Sequence, residues 1–458
     1  QYADVSFASS EDAPDGQLDL TGQAPSPWQV AAEEAVLSGL LRESLTEALT
    51  QQGLNELNKD VEIPLITVLA KMEHLGIGVD VARLTALRDE LVDQTQKLKS
   101  VIHEQAGEEF NVNSTKQLQV VLFEKLGLTP QKKTKTGFST DAQTLEKMRG
   151  DHPIIENLME YREVEKLRST YGEGLLSEVG EGDRIRATFN QTVARTGRLS
   201  SDAPNLHNVP VRTERGRVFR EVFVASKDWG LLVADYNQIE LRCIAHLAED
   251  PGLIRAFTAG EDIHTATAAQ IFTVKPEKVT HEQRSKAKMV SYGLAYGMEA
   301  YGLAQRLGIP NKEAAVILDS YFAAFPSVQN YMEKTVQVAR DRGYTETLFG
   351  RRRRIPELSS DNFRIRQAAE RQAMNAGIQG LAADIFKVAL VNLDQKIIEE
   401  ELNSRIVLQV HDEVILECPA EEIDEAQALT VETMASAFDL LVPLEVNVSS
   451  GQSWAEAK

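Results

Sequence analysis

Cysteine is nearly absent from this chain. Its 458 residues include two, Cys243 and Cys418, without the spacing of a metal clip. That excludes a disulfide framework and makes a reducing compartment the default. No apolar run approaches 18 residues and no signal-peptide pattern is recognisable, so no membrane-spanning segment is expected. The chain opens on Gln1 rather than Met, in an acidic, loop-like stretch, and is expected to be a fragment of something longer. Positive charge is also scarce. Lys and Arg number 49 against 69 Asp and Glu, a net charge of −20, which at first argues against a nucleic-acid partner. The deficit is uneven, however. Residues 1–60 hold 11 acids and 2 bases, leaving 58 acids and 47 bases in the rest. Local basic clusters, not the total, decide whether phosphate can bind.

What is present is organised around Gly230–Arg242. The apolar run Leu231-Leu232-Val233-Ala234 reads as a buried strand ending on Asp235, and Ile239, Arg242, Cys243 and His246 begin a helical pattern. Taken alone, Asp235 reads as a helix-capping or salt-bridged acid. A second copy of the arrangement raises its interest: Arg405–Val410 is another apolar strand, running into His411-Asp412-Glu413 and out through Val414-Ile415-Leu416. That is a hairpin with acids at its tip and no Gly or Asn to mark the turn. Two strand-end aspartates far apart in sequence can share one divalent metal site.

The remaining chain is largely helical in pattern. Residues 1–27 read as a connector, and 28–59, 64–75, 79–105 and 153–170 as helices ended by Gly or Pro. Lys132–Thr140 is a basic, hydroxyl-rich turn, by composition a surface loop or else a tip that grips a phosphate backbone. Ile185–Asn190 reads as one strand. From Arg195 to Arg220 there are six arginines against two acids, a loop suited to phosphates and base edges as much as to plain surface. Arg284, Lys288, Tyr292 and Tyr296 lie four apart on a helix. Two cations followed by two aromatics match a ligand with a polyanionic end and a flat end, a nucleoside triphosphate. Arg351–Arg354 read as a solvated basic face. Arg371, Asn375 and Gln379 form another stripe at fourfold spacing.

These segments together resemble the polymerase portion of the family A DNA polymerases. Asp235–Arg242 looks like motif A, Arg284–Gly297 like motif B and Val410–Glu413 like motif C, over roughly residues 60–458. The resemblance implies an α+β right-hand fold: a palm with an antiparallel sheet, helical fingers and a helical thumb. Expected bounds are 1–59 for the remnant of an exonuclease-like domain, 60–79 for the start of the palm and 80–165 for the thumb. Palm with motif A follows at 166–250, fingers with motif B at 251–365 and palm with motif C at 366–458. Residues 1–59 are too few for a nuclease domain, so neither proofreading nor 5′ nuclease activity is expected from them.

The resemblance also implies a chemistry. Two Mg²⁺ ions, with Mn²⁺ able to substitute, would be held roughly 3.5–4 Å apart by Asp235, Asp412 and the Tyr236 carbonyl. Arg284, Lys288 and His264 would hold triphosphate, with Lys288 also protonating the leaving group. Gln238, Glu240, Tyr292 and Tyr296 would surround the incoming nucleotide, Glu240 excluding a 2′-hydroxyl. Primer-template DNA would meet Arg198, Asn205, His207, Arg212, Arg371, Asn375, Gln379 and His411. Glu413 reads as structural. Two positions depart from the family pattern: Asn237 stands where Ser is usual, and His207 where Gln is usual. The implied protein is a monomeric bacterial cytoplasmic enzyme associated with the nucleoid. Its rivals are a single-subunit RNA polymerase, against which Glu240 argues, and a non-catalytic DNA-binding scaffold, against which the two aspartates argue.

Overall fold

Helical spacing of leucine becomes helix wherever the chain also supplies an end signal. A computed structural model describes residues 27–135, 137–210, 213–295 and 297–458. Helix α1, Pro27–Gln52, leaves its apolar positions Val36, Leu40 and Leu45 exposed. Helix α2, Ile63–Leu75, starts with Pro64 in its first turn, where the missing N–H costs nothing. It buries Leu65, Val68, Leu69 and Met72 and stops at Gly76, whose φ is 65°. Only glycine suits that position: a Cβ there would stand 2.5 Å from the Ile185 carbonyl oxygen. Helix α3, Val81–Ala106, is capped by the Asp80 side chain, which accepts from the Arg83 N–H at 2.9 Å. Helix α4, Pro153–Lys166, packs along α3. Ile102, Leu118, Leu145, Ile154 and Leu158 form a core of their own there, separate from the main one. Within the same segment a small hairpin, Lys133–Thr134 with Gly137–Phe138, keeps Lys133 exposed.

The main core surrounds one antiparallel sheet. Strand β1, Trp229–Tyr236, is the apolar run seen in the sequence, and Leu231–Ala234 are all buried. A turn through Gln238 leads to helix α5, Ile239–Ala248. Helices α6, Ile263–Phe272, and α7, His281–Ala295, pack against each other farther along. Helix α8, Phe363–Glu399, is a single 37-residue rod, longer than its sequence pattern from Arg371 to Val388. Its 18-residue apolar window would suffice to cross a membrane by length and composition, but 78% of it is buried against the rest of the protein. It is the core helix of the main body, in contact with α2, α5 and the next strand. Strand β2, Arg405–Val410, and strand β3, Glu413–Pro419, form the expected hairpin, and β4, Val446–Gly451, completes the sheet in the order β2-β3-β1-β4. The register pairs Asp235 with both Glu413 and Asn447. The α+β expectation holds.

Two readings need correction. Ile185–Asn190 is not one strand. Arg184–Ile185 pairs with Ile77–Gly78, whereas Thr188–Asn190 pairs with Ser200–Asp202. Between them Arg186 turns away to donate to the carbonyls of His74 and Glu181. Arg351–Arg354 is not a uniform solvated face either. Arg352–Arg354 pair as a strand with Tyr344–Glu346, and Arg351 is mostly buried in ion pairs with Glu62 and Asp384.

Candidate active site

The hairpin at β2–β3 closes through two residues only, because Val410 pairs with Glu413. A two-residue hairpin needs positive φ, usually from Gly or Asn. Here His411 supplies it at 58°. Gln238, at the other end of the site, has φ 57°. Left-handed non-glycine residues store strain on the order of 1–3 kcal/mol each and gather at functional sites. This pair brackets the two aspartates. The Tyr236 N–H donates to the Asp412 carbonyl at 3.2 Å, which binds the hairpin tip to the end of β1. Tyr236 itself is anchored below, its hydroxyl donating to the Met434 carbonyl at 2.7 Å.

Both carboxyl groups are in trouble as anions. Burial pushes Asp235 above the usual carboxylate range, against the pull of Lys458 and a hydrogen bond from Asn447. Burial likewise raises Asp412, with Arg198 opposing and the charges of Glu240 and Asp235 adding. Two desolvated like charges side by side favour a cation between them. The donors are all hard oxygens, which suits Mg²⁺ and asks for further ligands from water or substrate. Among the described residues no group of three or more His, Cys, Asp and Glu is placed to hold a metal. Glu413, beside Asp412, is 3% exposed, accepts from Trp454 Nε1 at 2.7 Å and pairs with Lys458. Its expected structural role fits these contacts. Asp235, Asp412, His411 and Lys458, with Arg217 and Arg220, line a cavity of about 460 Å³.

A second group of residues converges from the arginine-rich loop. Arg198 Nη2 donates to Glu240 Oε1 at 2.6 Å. His207 lies against His411, ring centroids 5.6 Å apart. Burial, then the neighbouring His411, lowers the His207 pKa to about 4, against hydrogen bonds with Gln409. His207 is therefore a neutral ring at ordinary pH. Asn205 is exposed at the start of the short helix Leu206–Asn208.

On α7 the stripe faces outward as the spacing predicts. Ala287, Val290 and Leu294 are buried, while Lys288 is exposed and Arg284 and Tyr292 are half-buried. Arg284 is held by Asp262, at 2.8 Å from Nε and 2.7 Å from Nη2. The same carboxylate caps α6 through the N–H groups of His264 and Thr265. The His264 ring is 5.6 Å from that of Tyr292, and its buried Nδ1 has no hydrogen-bond partner among the described residues. On α8, Arg371 donates to Glu299 at 3.0 Å, Asn375 is 8% exposed and Gln379 is half-buried. Gly297 fits closely against Asn375: a Cβ there would stand 2.8 Å from Nδ2.

Tyr296 and Arg212, expected at the site, lie outside the described residues. Lys458, Trp454, Arg217, Arg220 and Asp262 were not anticipated. For Arg217 and Arg220 the signal was present in the arginine-rich stretch. For Asp262, the Asp-x-His spacing ahead of an apolar run is an N-cap signature.

Comparison with known proteins agrees with this arrangement. A family model described as DNA polymerase family A matches residues 81–456. DNA polymerase I of Bacillus subtilis is 49% identical over 420 residues, 91% of this chain and 48% of that protein. DNA polymerase I of Geobacillus stearothermophilus gives the same identity and coverage. The chain thus spans about half the length of these relatives. A solved structure, the POL domain of Pol1 from M. smegmatis in complex with DNA primer-template and dNTP, superposes with a TM-score of 0.87 at 46% identity. It covers 91% of this chain and 74% of that one, so the architecture is the right-hand polymerase fold. With the motifs, the sheet and these relatives in agreement, the chain belongs to DNA polymerase family A.

Proposed function

We propose that this chain is a template-directed DNA polymerase that adds deoxynucleotides to a primer 3′-hydroxyl. The observation that carries the reading is the Tyr236–Asp412 hydrogen bond, which joins two desolvated aspartates at one end of the sheet. Asp235, Asp412 and the Tyr236 carbonyl would hold two Mg²⁺ ions, for which Mn²⁺ can substitute. Bound divalent metal acidifies a hydroxyl and neutralises charge on a phosphoryl group. The chain's own residues do the rest. Arg284 exchanges Asp262 for triphosphate oxygens, a switch between two charge-assisted partners. Lys288, exposed one turn on, holds phosphate and protonates the leaving pyrophosphate. Tyr292 and His264 form the wall beside the incoming nucleotide, with Gln238 at its edge and Tyr296 assigned next to the templating base. Glu240 blocks the space of a 2′-hydroxyl. Arg198, Asn205, His207, Arg212, Arg371, Asn375, Gln379 and His411 receive primer and template.

In this reading 80–165 is the thumb, 251–365 the fingers, and 60–79, 166–250 and 366–458 the palm, with 1–59 the remnant of an exonuclease-like domain. The protein acts as a monomer on primer-template DNA and dNTPs in the bacterial cytoplasm. We assign no proofreading or 5′ nuclease chemistry to these residues. The test is primer extension with the Asp235→Ala and Asp412→Ala variants. Each is expected to lose on the order of 10³-fold or more in rate, the several kcal/mol that metal-stabilised charge contributes. Affinity for primer-template should stay within a few-fold, because phosphate contacts elsewhere supply it. Near-normal extension by either variant, or preferential use of ribonucleotides by the unmodified protein, would overturn the reading.

A further inference from the structure

Arg351 opens a run of four arginines, yet its side chain is only 18% exposed. Nε donates to Asp384 Oδ1 at 2.6 Å and Nη2 pairs with Glu62 Oε1. Lys387 donates to the same Glu62 oxygen at 2.8 Å, and Gln191 donates to Oε2 at 2.8 Å. Thr347 donates to Asp384 Oδ2 at 2.6 Å. Two cations balance two acids, and every carboxylate oxygen has a donor. A closed polar network of this kind specifies one arrangement of the elements that meet in it. Those elements are the start of α2 with Glu62, the middle of α8 with Asp384 and Lys387, the Tyr344–Arg354 hairpin with Thr347 and Arg351, and the segment with Gln191 that leads into the 195–199 loop.

What rests on the network is Gly197. Its φ is +87°, and a Cβ there would stand 2.6 Å from Arg351 Cδ and 2.8 Å from Nε. The loop backbone therefore lies directly on the stem of the clamped arginine. From the other side Gly380 of α8 lies close to Thr347, where a Cβ would stand 2.6 Å from Cγ2, and in ordinary contact range of the Thr196 carbonyl oxygen, 3.6 Å away. The next residue, Arg198, reaches Glu240 and lines a narrow recess shared with His411, Asp412 and Lys387, itself a member of the network. A chain of direct contacts thus runs from Glu62 and Asp384 through Arg351 and Gly197 to Arg198.

We propose that Arg351, clamped between Glu62 and Asp384, is a positioning residue that seats the 195–199 loop and so aims Arg198 at the primer terminus. The inference rests on the reading of Arg198 as a primer contact. It differs from a plain structural brace in one respect: the effect of loosening Arg351 on polymerisation must pass through the Arg198 side chain. Lysine at position 351 keeps the charge but loses the fork that holds two acids at once. Asp384→Asn weakens the same clamp from the opposite side.

The experiment is a pair of double-mutant cycles on single-turnover primer extension. One combines Arg351→Lys with Arg198→Ala, the other Asp384→Asn with Arg198→Ala, and thermal unfolding is recorded for every variant. Residues sharing a network couple strongly, so each clamp variant is expected to slow extension roughly 10-fold alone and less than about twofold in the Arg198→Ala background. The shift in melting temperature should be the same in both backgrounds. Multiplicative slowing, or no slowing by either clamp variant, would overturn the positioning role while leaving Arg198 as a primer contact. Normal extension by Arg198→Ala alone would remove the contact, and the positioning role with it. If one clamp variant does not fold, the other cycle decides.

Discussion

Strand β3 holds Glu417 and is entered through Asp412 in the hairpin turn, and these two acids are treated in opposite ways. Glu417 is completely buried, yet Arg184 reaches it at 2.8 Å, Arg405 at 2.9 Å and the Ser226 N–H at 2.8 Å. Burial alone would raise its pKa, but the Arg184 and Ser226 hydrogen bonds outweigh it and hold the group down to about 2. Asp412, just before the strand's first residue, is also desolvated, and its carboxyl stands above the usual range with Glu240 and Asp235 adding to the repulsion. Glu417 is neutralised by its hydrogen bonds, whereas at Asp412 burial outweighs the opposing Arg198 charge. Asp235 sides with Asp412, and Glu413 with Glu417, its charge met by Lys458 and Trp454. Removing one member of an internally paired buried charge leaves the others uncompensated and is strongly destabilising, whereas a perturbed acid in a cavity is a candidate for binding.

Stability measurements should show the contrast at its largest. Glu417→Ala leaves Arg184 and Arg405 facing each other without their acid and should destabilise by about 3–5 kcal/mol in denaturant unfolding. Asp412→Asn removes a charge that already costs folding energy, so metal-free unfolding should show no loss, or a gain of up to about 1 kcal/mol. A large loss for Asp412→Asn would mean that its charge is internally compensated after all.

Glu240 lies between the two cases, 7% exposed and paired with Arg198. Glu240→Ala opens the volume a 2′-hydroxyl needs. Discrimination of dNTP over rNTP should fall on the order of 10- to 100-fold. An unchanged ratio in competitive extension would reduce Glu240 to a structural partner of Arg198.

The last effect is confined to acid pH and concerns His264. Burial, with the Lys288 and Arg284 charges adding and Asp262 opposing, lowers its pKa from 6.5 to about 4. The folded protein keeps the ring neutral where the unfolded chain takes up a proton. Its contribution to stability is therefore full above pH 6.5 and is lost as pH falls toward about 4. His264→Gln should flatten that acid limb by about 1–3 kcal/mol, the upper end being the full shift. A limb of unchanged slope would show that His264 does not titrate in this window.

How far the sequence carried depends on how local each signal is. β1, the β2–β3 hairpin and the Arg284-Lys288-Tyr292 stripe follow from apolar runs and helical period, and all three stand in the structure as read. That Asp235 and Asp412 come to one cavity is legible because both motifs end strands on acids. What failed was non-local. Arg351 looked solvated because its partner Glu62 is 289 residues away. Glu413 could be placed only once Trp454 folded back 41 residues to donate to it. Ile185–Asn190 looked like one strand because alternation does not reveal that Arg186 leaves the pairing midway.

The metal role proposed for Asp235 and Asp412 needs both carboxylates. The most direct measurement is Mn²⁺ binding to the DNA-free protein by electron paramagnetic resonance, at matched ionic strength, with the unmodified chain, Asp412→Asn and Asp235→Asn. The unmodified protein is expected to bind Mn²⁺ and either substitution to weaken that binding at least about tenfold, while affinity for primer-template survives. Equal Mn²⁺ binding by all three proteins would contradict it.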